Sequence, residues 1–431
     1  MSHPLRRFAS RLSLGALALT VIGASLLAPI RSQASTAHDS ASLVVWADVS
    51  RAAGFQLYQK EHPNVHMKIV TVGAGDIPVK IKLANRIGSG WPDVVFNEPY
   101  YTAQLVSEGY SAKLDTMVPK KVQAGFATNA LGGCTYGGHL YCLRNDVAQV
   151  VLWYNAKLMK RFGYTVPTTW EQFQALGLTV AKRHPGYVVG NFGDFYSLEG
   201  WYWGSGCPLA QLQGTSTVHI NINDPACTRV TKMVDTLLAA RALSKEDSFG
   251  TGYAKIGQED KILMMPAASW YPTFLFKPSY KLPSGEIAAA PPLRWSHDKI
   301  NWTGAQGGGV YSVSSHSANL RAAAAVATWM ATSNDYQGTS LTFPAYLPAA
   351  DVWAKQLNHN PFFAINPYPV LRATANLIRP TWNYVRYDLH DPFTTTVIAA
   401  VENGKTAASA MSSFQARLVQ AAQQVGYTVV Q

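Results

Sequence analysis

The chain has 431 residues, of which 48% are hydrophobic and 14% charged, and its 36 Lys and Arg against 25 Asp and Glu give a formal net charge of +11. That length supports two domains of ordinary size, each with its own core. The basic residues are scattered, and the densest run, Lys157 to Arg161, reads as a solvated helix face, which argues against a nucleic-acid partner.

The N-terminus reads as an export signal. Arg6, Arg7 and Arg11 precede the apolar stretch Leu12 to Ile30, and Ser32-Gln33-Ala34 offers a small-residue cleavage site. Thr20, Gly23 and Ser25 dilute the apolar stretch, which favours cleavage over an uncleaved anchor. Removal of residues 1–34 takes away four arginines and no acids, lowering the net charge to +7. No cysteine follows the apolar stretch, so a soluble protein is expected, periplasmic or extracellular, without a lipid anchor.

Alternating elements follow. Leu43 to Ala47 reads as a strand; Ala52, Phe55 and Tyr58 recur at helical spacing until Pro63; Val65, Met67 and Ile69 alternate as a half-buried strand. Ile77 to Ile87 is a second helix ending at Gly88, and Val94 to Phe96 a third strand. This order predicts an α/β fold with a largely parallel sheet, whose ligands bind beyond the carboxyl ends of the strands. That rule points to Trp46 to Asp48 after the first strand, with Trp46 and Asp48 as candidates, and to Asn97 to Tyr100 after the third, with Asn97 and Glu98 as candidates. Thr169 is placed to cap a helix, with Gln172 closing a capping box. Val397 to Ala422 has the spacing of packed helices, and no repeat of about 20–50 residues is evident.

The cysteines are Cys134, Cys142, Cys207 and Cys227. An even number in an exported chain predicts disulfides, and of the three pairings the short loops favour Cys134–Cys142 and Cys207–Cys227. The rival, a zinc site, lacks a C-x-x-C pair, and no metal or other cofactor is expected. The run Gly304 to Gly309 lacks the Lys-Ser/Thr of a P-loop, so hinge flexibility or close approach of a neutral ligand is a better reading of Gln306 and Gly307 than a phosphate cradle.

Gly138 to Asn155 consists of two apolar runs joined by Arg144-Asn145-Asp146, as suits a segment leaving one domain for another. It resembles the "GKLYGLPxDxxxxxLxYN" segment of extracellular solute-binding proteins of the maltose-binding type. Lys60 to Val65, Gly88 to Val95 and Val166 to Phe173 resemble the same family's "KEHPNV", "asGxxPDVV" and "xPxTWdEf". Asp260 to Trp270 and Gly307 to Thr332 resemble later segments more loosely. The resemblance implies a two-lobed periplasmic-binding-protein fold with discontinuous lobes: residues 42–147 and 305–343 form lobe one, residues 148–304 and 344–431 lobe two. Crossings are expected near Arg144–Gln149, Gly304–Gly309 and Pro344–Ala350.

The implied function is capture of a carbohydrate by a monomeric receptor that delivers it to an ABC-transporter permease, not catalysis. Aromatic faces suit the C–H faces of sugar rings, but aromatics also fill cores. Trp91, Trp153, Trp170 and Trp329 lie in packing text, whereas Trp46, Trp201, Trp203, Trp270, Trp302 and Trp382 adjoin polar or Gly-rich text. The resemblance makes Trp270 and Trp382 stacking residues, and Arg386, four residues after Trp382, a donor to sugar hydroxyls. Asp48, Glu98 and Asp146 supply acceptors. Arg144 departs from the family's pattern and is expected to pair with Asp146 or to meet an anionic ligand group. The alternatives are a receptor for a non-sugar or anionic solute, or a secreted carbohydrate-active enzyme using two of these acids.

Overall fold

A computed structural model of the chain describes residues 41–380 and 384–431. In chain order the strands are β1 (Ala41–Ala47), β2 (Val65–Thr71), β3 (Val94–Asn97), β4 (Thr135–Tyr136), β5 (His139–Leu140), β6 (Cys142–Arg144) and β7 (Val150–Asn155). They continue with β8 (Gln211–Gln213), β9 (Thr217–His219), β10 (Met264–Ala268), β11 (Ile287–Ala290), β12 (Val310–Val313) and β13 (Thr428–Val430).

In β1, Ala41, Leu43, Val45 and Ala47 point into the core while Ser42 faces solvent, the period-two pattern of a strand with one buried face. The helix Val49–Glu61 follows because Asp48 caps it: its carboxylate accepts from the backbone N–H groups of Ser50 and Arg51. This helix ends before Pro63, and β2 returns parallel to β1 with Ala41 opposite Val65. The next helix, Ile77–Ile87, has Pro78 in its first turn and stops at Gly88, whose φ of 76° suits glycine. β3 is buried along its whole length, as a central strand should be.

The first sheet has the order β2-β1-β3-β12-β6. β12 lies between strands that precede it by more than 160 residues, so the chain leaves this lobe after β6 and comes back to complete its sheet. While away it builds a second sheet, β10-β7-β11, which is antiparallel throughout. Around that sheet Trp170, Phe173, Phe192 and Trp201 form an aromatic core, with the Trp170 and Trp201 rings 5.1 Å apart. A third small sheet, β13-β9-β8, ties the C-terminal strand to the hairpin that follows Cys207. The protein is therefore an α/β molecule of two lobes.

Three crossing segments run side by side between the lobes. The central one follows β6: Val147 N–H donates to Phe343 O (3.1 Å) and Val150 N–H to Gly304 O (3.1 Å). Gln306 N–H donates to Ala148 O (3.0 Å) and Ala345 N–H to Asn145 O (3.0 Å), so residues 304–309 and 343–345 flank it on either side. Ala148 has a φ of 52°, a left-handed conformation costly for a residue with a Cβ, in the segment on which closure would turn.

Both disulfides are present. Cys134–Cys142 (Cα–Cα 4.8 Å) closes the β4–β5 hairpin, and Cys207–Cys227 (Cα–Cα 4.6 Å) ties the start of the helix Pro225–Ala239 to the loop before β8. Replacing Cys207 and Cys227 together by serine should cost about 2–4 kcal/mol, and the shorter Cys134–Cys142 loop less. Denaturant unfolding under non-reducing conditions checks this; an unshifted midpoint in the Cys207/Cys227 double variant would refute it.

Candidate functional site

The carboxyl ends of β1 and β3 face the crossings, and from the other side the second lobe contributes Phe195, Tyr196, Glu199, Trp270 and His390. At the end of β3, Asn97 is fixed: its Oδ1 accepts from Ser312 Oγ (3.2 Å) and its Nδ2 donates to Glu98 O (3.4 Å). Glu98 then projects toward the second crossing. A Cβ placed on Gly307 would lie 3.2 Å from Glu98 Oε2 and 4.0 Å from Tyr196 Oη, so only glycine, here at φ 71°, leaves that space open. Glu98 Oε2 is closed off from solvent and has no hydrogen-bond partner among the described residues. Burial, reinforced by Asp146 and Glu199 and opposed by Arg51 and Arg144, pushes the Glu98 carboxyl up to about 7.

Glu199 enters from the wide, π-type turn Leu198–Trp203. Its Oε2 accepts from Gly307 N–H (3.0 Å), the backbone donor that a phosphate would need, and its Oε1 lies 3.2 Å from His390 Nε2. Burial pushes the His390 imidazole down, but Glu199, Asp388 and Glu98 together outweigh it and hold the ring above its ordinary value. The Tyr100 ring of the first lobe meets His390 edge-on at 4.4 Å, and Phe195 lies 4.6 Å from the same ring. Beyond them Tyr196, Phe249 and Trp270 form an aromatic wall, with Trp270 5.6 Å from Tyr196 and 6.1 Å from Phe249. The lobes also touch at the rim, where Tyr136 Oη donates to Thr215 O (3.2 Å).

Of the residues expected from sequence, the structure brings Asn97, Glu98, Trp270, Gln306 and Gly307 together. Gln306 holds the floor: its Nε2 donates to Tyr196 O (3.0 Å), its Oε1 accepts from Ala268 N–H (2.7 Å), and its carbonyl accepts from Trp270 Nε1 (2.8 Å). Arg144 and Asp146 lie beside this group but do not make the expected side-chain pair. The buried Arg144 guanidinium donates to backbone carbonyls, Nε to Asp146 (2.9 Å) and Nη2 to Gly307 (2.6 Å), because the crossing strands leave those carbonyls without a ladder partner. Asp146 accepts from Asn145 Nδ2 (2.9 Å).

Other candidates are placed elsewhere. Asp48 is engaged as a helix cap and ion-pairs with Arg51 at 3.1 Å. Trp46 packs beside Val70 and Trp91 on a small cluster of the first lobe. Trp201, 2% exposed, belongs to the aromatic core, and Trp203, 3% exposed, donates its Nε1 to Arg379 O (3.0 Å). Glu199 and Trp201, two residues apart, face different sides of the turn, so Glu199 reaches the crossing while Trp201 packs inward. Arg386 lies over the Tyr427 ring at 4.3 Å. Trp382 is outside the described residues. Tyr100 falls in the stretch to which the strand-end rule points, whereas Tyr196, Phe249, Glu199 and His390 were not anticipated; the aromatic density of Phe195 to Trp203 is a signal for that stretch, but its periodicity does not say which members face the cleft.

The fold recurs in solved structures. The galacto-N-biose-/lacto-N-biose I-binding protein of an ABC transporter from Bifidobacterium longum matches with a TM-score of 0.77 at 17% identity, over 91% of this chain and 99% of that one. The ABC transporter associated binding protein of B. animalis subsp. lactis, solved with β-1,6-galactobiose, matches at 0.73 and 19%, over 90% and 99%. The GacH receptor of Streptomyces glaucescens matches at 0.67 and 22%, over 90% and 100%. An uncharacterized ABC transporter extracellular-binding protein of Pyrococcus horikoshii, PH1039, is 25% identical over 131 residues, 30% of either chain, so the match spans under a third of that relative's length. The family model of bacterial extracellular solute-binding proteins matches residues 41–337, more than half of the chain, and the protein belongs to that family.

Proposed function

We propose that this protein is the exported receptor of an ABC importer and captures a carbohydrate between its lobes. The observation that carries this reading is the wall of Tyr100, Tyr196, Phe249 and Trp270 set beside Glu98 and Glu199 at the crossings. Aromatic faces cover the apolar faces of a pyranose while carboxylates accept from its hydroxyls. The structural relatives named above from two bifidobacteria bear on the same choice, because each was solved with a disaccharide in place. Closing of residues 148–304 and 344–431 onto the remainder buries the ligand, and the permease distinguishes closed from open forms. Micromolar affinity, roughly −8 kcal/mol, suffices for such a receptor. Of the features that would favour an anionic solute, Arg144 directs its Nε and Nη2 to backbone carbonyls.

The test is a thermal-shift screen of mono- and oligosaccharides beside amino acids, phosphates and peptides. A ligand at about a hundred times its Kd stabilises the folded state by about 2.7 kcal/mol, a rise of several degrees. The proposal requires that saccharides give the shifts; shifts from another class alone would refute it. For export, residues 1–34 are read as a cleaved signal. Mass spectrometry of secreted or periplasmic protein should find a chain beginning at Ser35, and recovery of a membrane-bound chain beginning at Met1 would contradict it.

A further inference from the structure

Several donors of the crossing and its floor are taken: Gly307 N–H by Glu199, Trp270 Nε1 by Gln306 O, Gln306 Nε2 by Tyr196 O, and Arg144 directs Nε and Nη2 to backbone carbonyls. Beside them an acceptor, Glu98 Oε2, is shut off from solvent with no partner among the described residues. A sugar hydroxyl both donates and accepts, and it needs donors from the protein as well as acceptors; an ammonium group donates only. Tyr100 and Tyr196 lie near Glu98, and Phe195, Phe249 and Trp270 pack against the Tyr196 ring, an aromatic lining that favours a desolvated cation. The negative character is local and runs against the composition, because the chain as a whole carries +11.

We infer that the captured saccharide bears a protonated amine, an amino sugar unit whose ammonium group is received by Glu98 within the aromatic wall. This deepens the carbohydrate reading and rests on it. The charged and titratable groups facing Glu98 are Asp146 and Glu199, which share its sign, Arg51 and Arg144, which oppose it, and Tyr100, Tyr196 and His390. The two arginines have other partners: Arg51 pairs with Asp48, and Arg144 holds the crossing carbonyls. An arriving ammonium supplies the missing counter-charge. With the cleft empty the Glu98 carboxyl is held up to about 7, so near neutral pH part of the protein carries a proton there. An ammonium ligand expels that proton. Its affinity therefore weakens as pH falls from about 7 toward the ordinary glutamate range near 4.3. A neutral sugar depends on that ionisation less, because a hydroxyl can also accept from the protonated carboxyl.

The experiment is calorimetric titration of the full mature chain with glucosamine and galactosamine di- and trisaccharides, each beside its N-acetylated and its hydroxyl counterpart of the same linkage. Titrations are run in two buffers of different ionisation enthalpy. The aminated member of at least one set should bind about tenfold or more tightly than its neutral twins, with proton release at pH 7. In Glu98→Gln, confirmed as folded by its thermal transition, the preference and the proton release should both disappear; the wild-type comparison stands without the variant should it fail to fold. Neutral twins binding as tightly as the aminated sugars would overturn this inference and leave the carbohydrate reading intact. Binding of no saccharide, aminated or neutral, by the folded protein in this panel and in the wider screen would overturn both.

Discussion

Replacing Arg144 by methionine should lower the unfolding midpoint of the ligand-free protein, a cost of about 3 kcal/mol for leaving buried carbonyls unpaired. The carbonyls are those of Asp146 and Gly307, one in each of two neighbouring crossings, and the guanidinium reaches both at 2.9 and 2.6 Å. Methionine keeps the apolar stem and returns no donor. It also removes one of the two positive charges that oppose the burial of Glu98, so that carboxyl should rise further. A charge that served only to meet ligand would behave differently: the variant would melt normally and lose affinity alone. Denaturant or thermal unfolding of the two proteins without ligand separates these outcomes, and equal midpoints would refute the structural role.

The second large effect is expected at Trp270. Its indole is 8% exposed, donates to Gln306 O at 2.8 Å, and lies between Tyr196, Phe249 and Tyr271. Trp270→Ala should weaken ligand binding by about 2 kcal/mol or more, roughly thirtyfold, because truncating a buried aromatic anchor removes contact area and opens the site to water. Trp270→Phe retains a ring face and loses the Nε1 donor, so most of the affinity should survive. Trp201→Ala is the control. It opens a hole among Trp170, Phe173 and Phe192, which should cost about 3–5 kcal/mol of stability while the folded fraction binds normally. Calorimetric titration beside thermal unfolding reads both effects. Unchanged affinity in a folded Trp270→Ala would contradict its place in the cleft.

The first lobe was legible because its signals are local. Gly88 stops a helix, Pro63 bounds another, and β2 alternates as its sequence requires. Thr169 caps its helix as expected, accepting from Gln172 N–H (3.2 Å). Gln172 reaches back to Thr168 N–H (2.9 Å) and not to Thr169, so the capping box closes one residue early. Non-local pairings were harder to see. β13 joins β9 across some 210 residues of chain, and neither strand has more than three residues to announce itself.

The site divides along the same line. Glu98 follows a strand whose carboxyl end could be located from the short apolar run Val94 to Phe96. Glu199 and Trp201 are two residues apart in a π-type turn, and no pattern of period 3.6 says which of them faces the crossing. Arg144 looked like a ligand for an anion because its polarity within an apolar run was visible, whereas the carbonyls it satisfies belong to segments 2 and 163 residues away in sequence.

Capture by closure is tested most directly by small-angle X-ray scattering of the mature protein, free and saturated with the saccharide that gives the largest thermal shift. The account predicts a smaller radius of gyration with ligand, and a scattering curve that then fits the structure in which Tyr100 meets His390 and Tyr136 meets Thr215 across the cleft. Scattering that is identical with and without saturating ligand would contradict it.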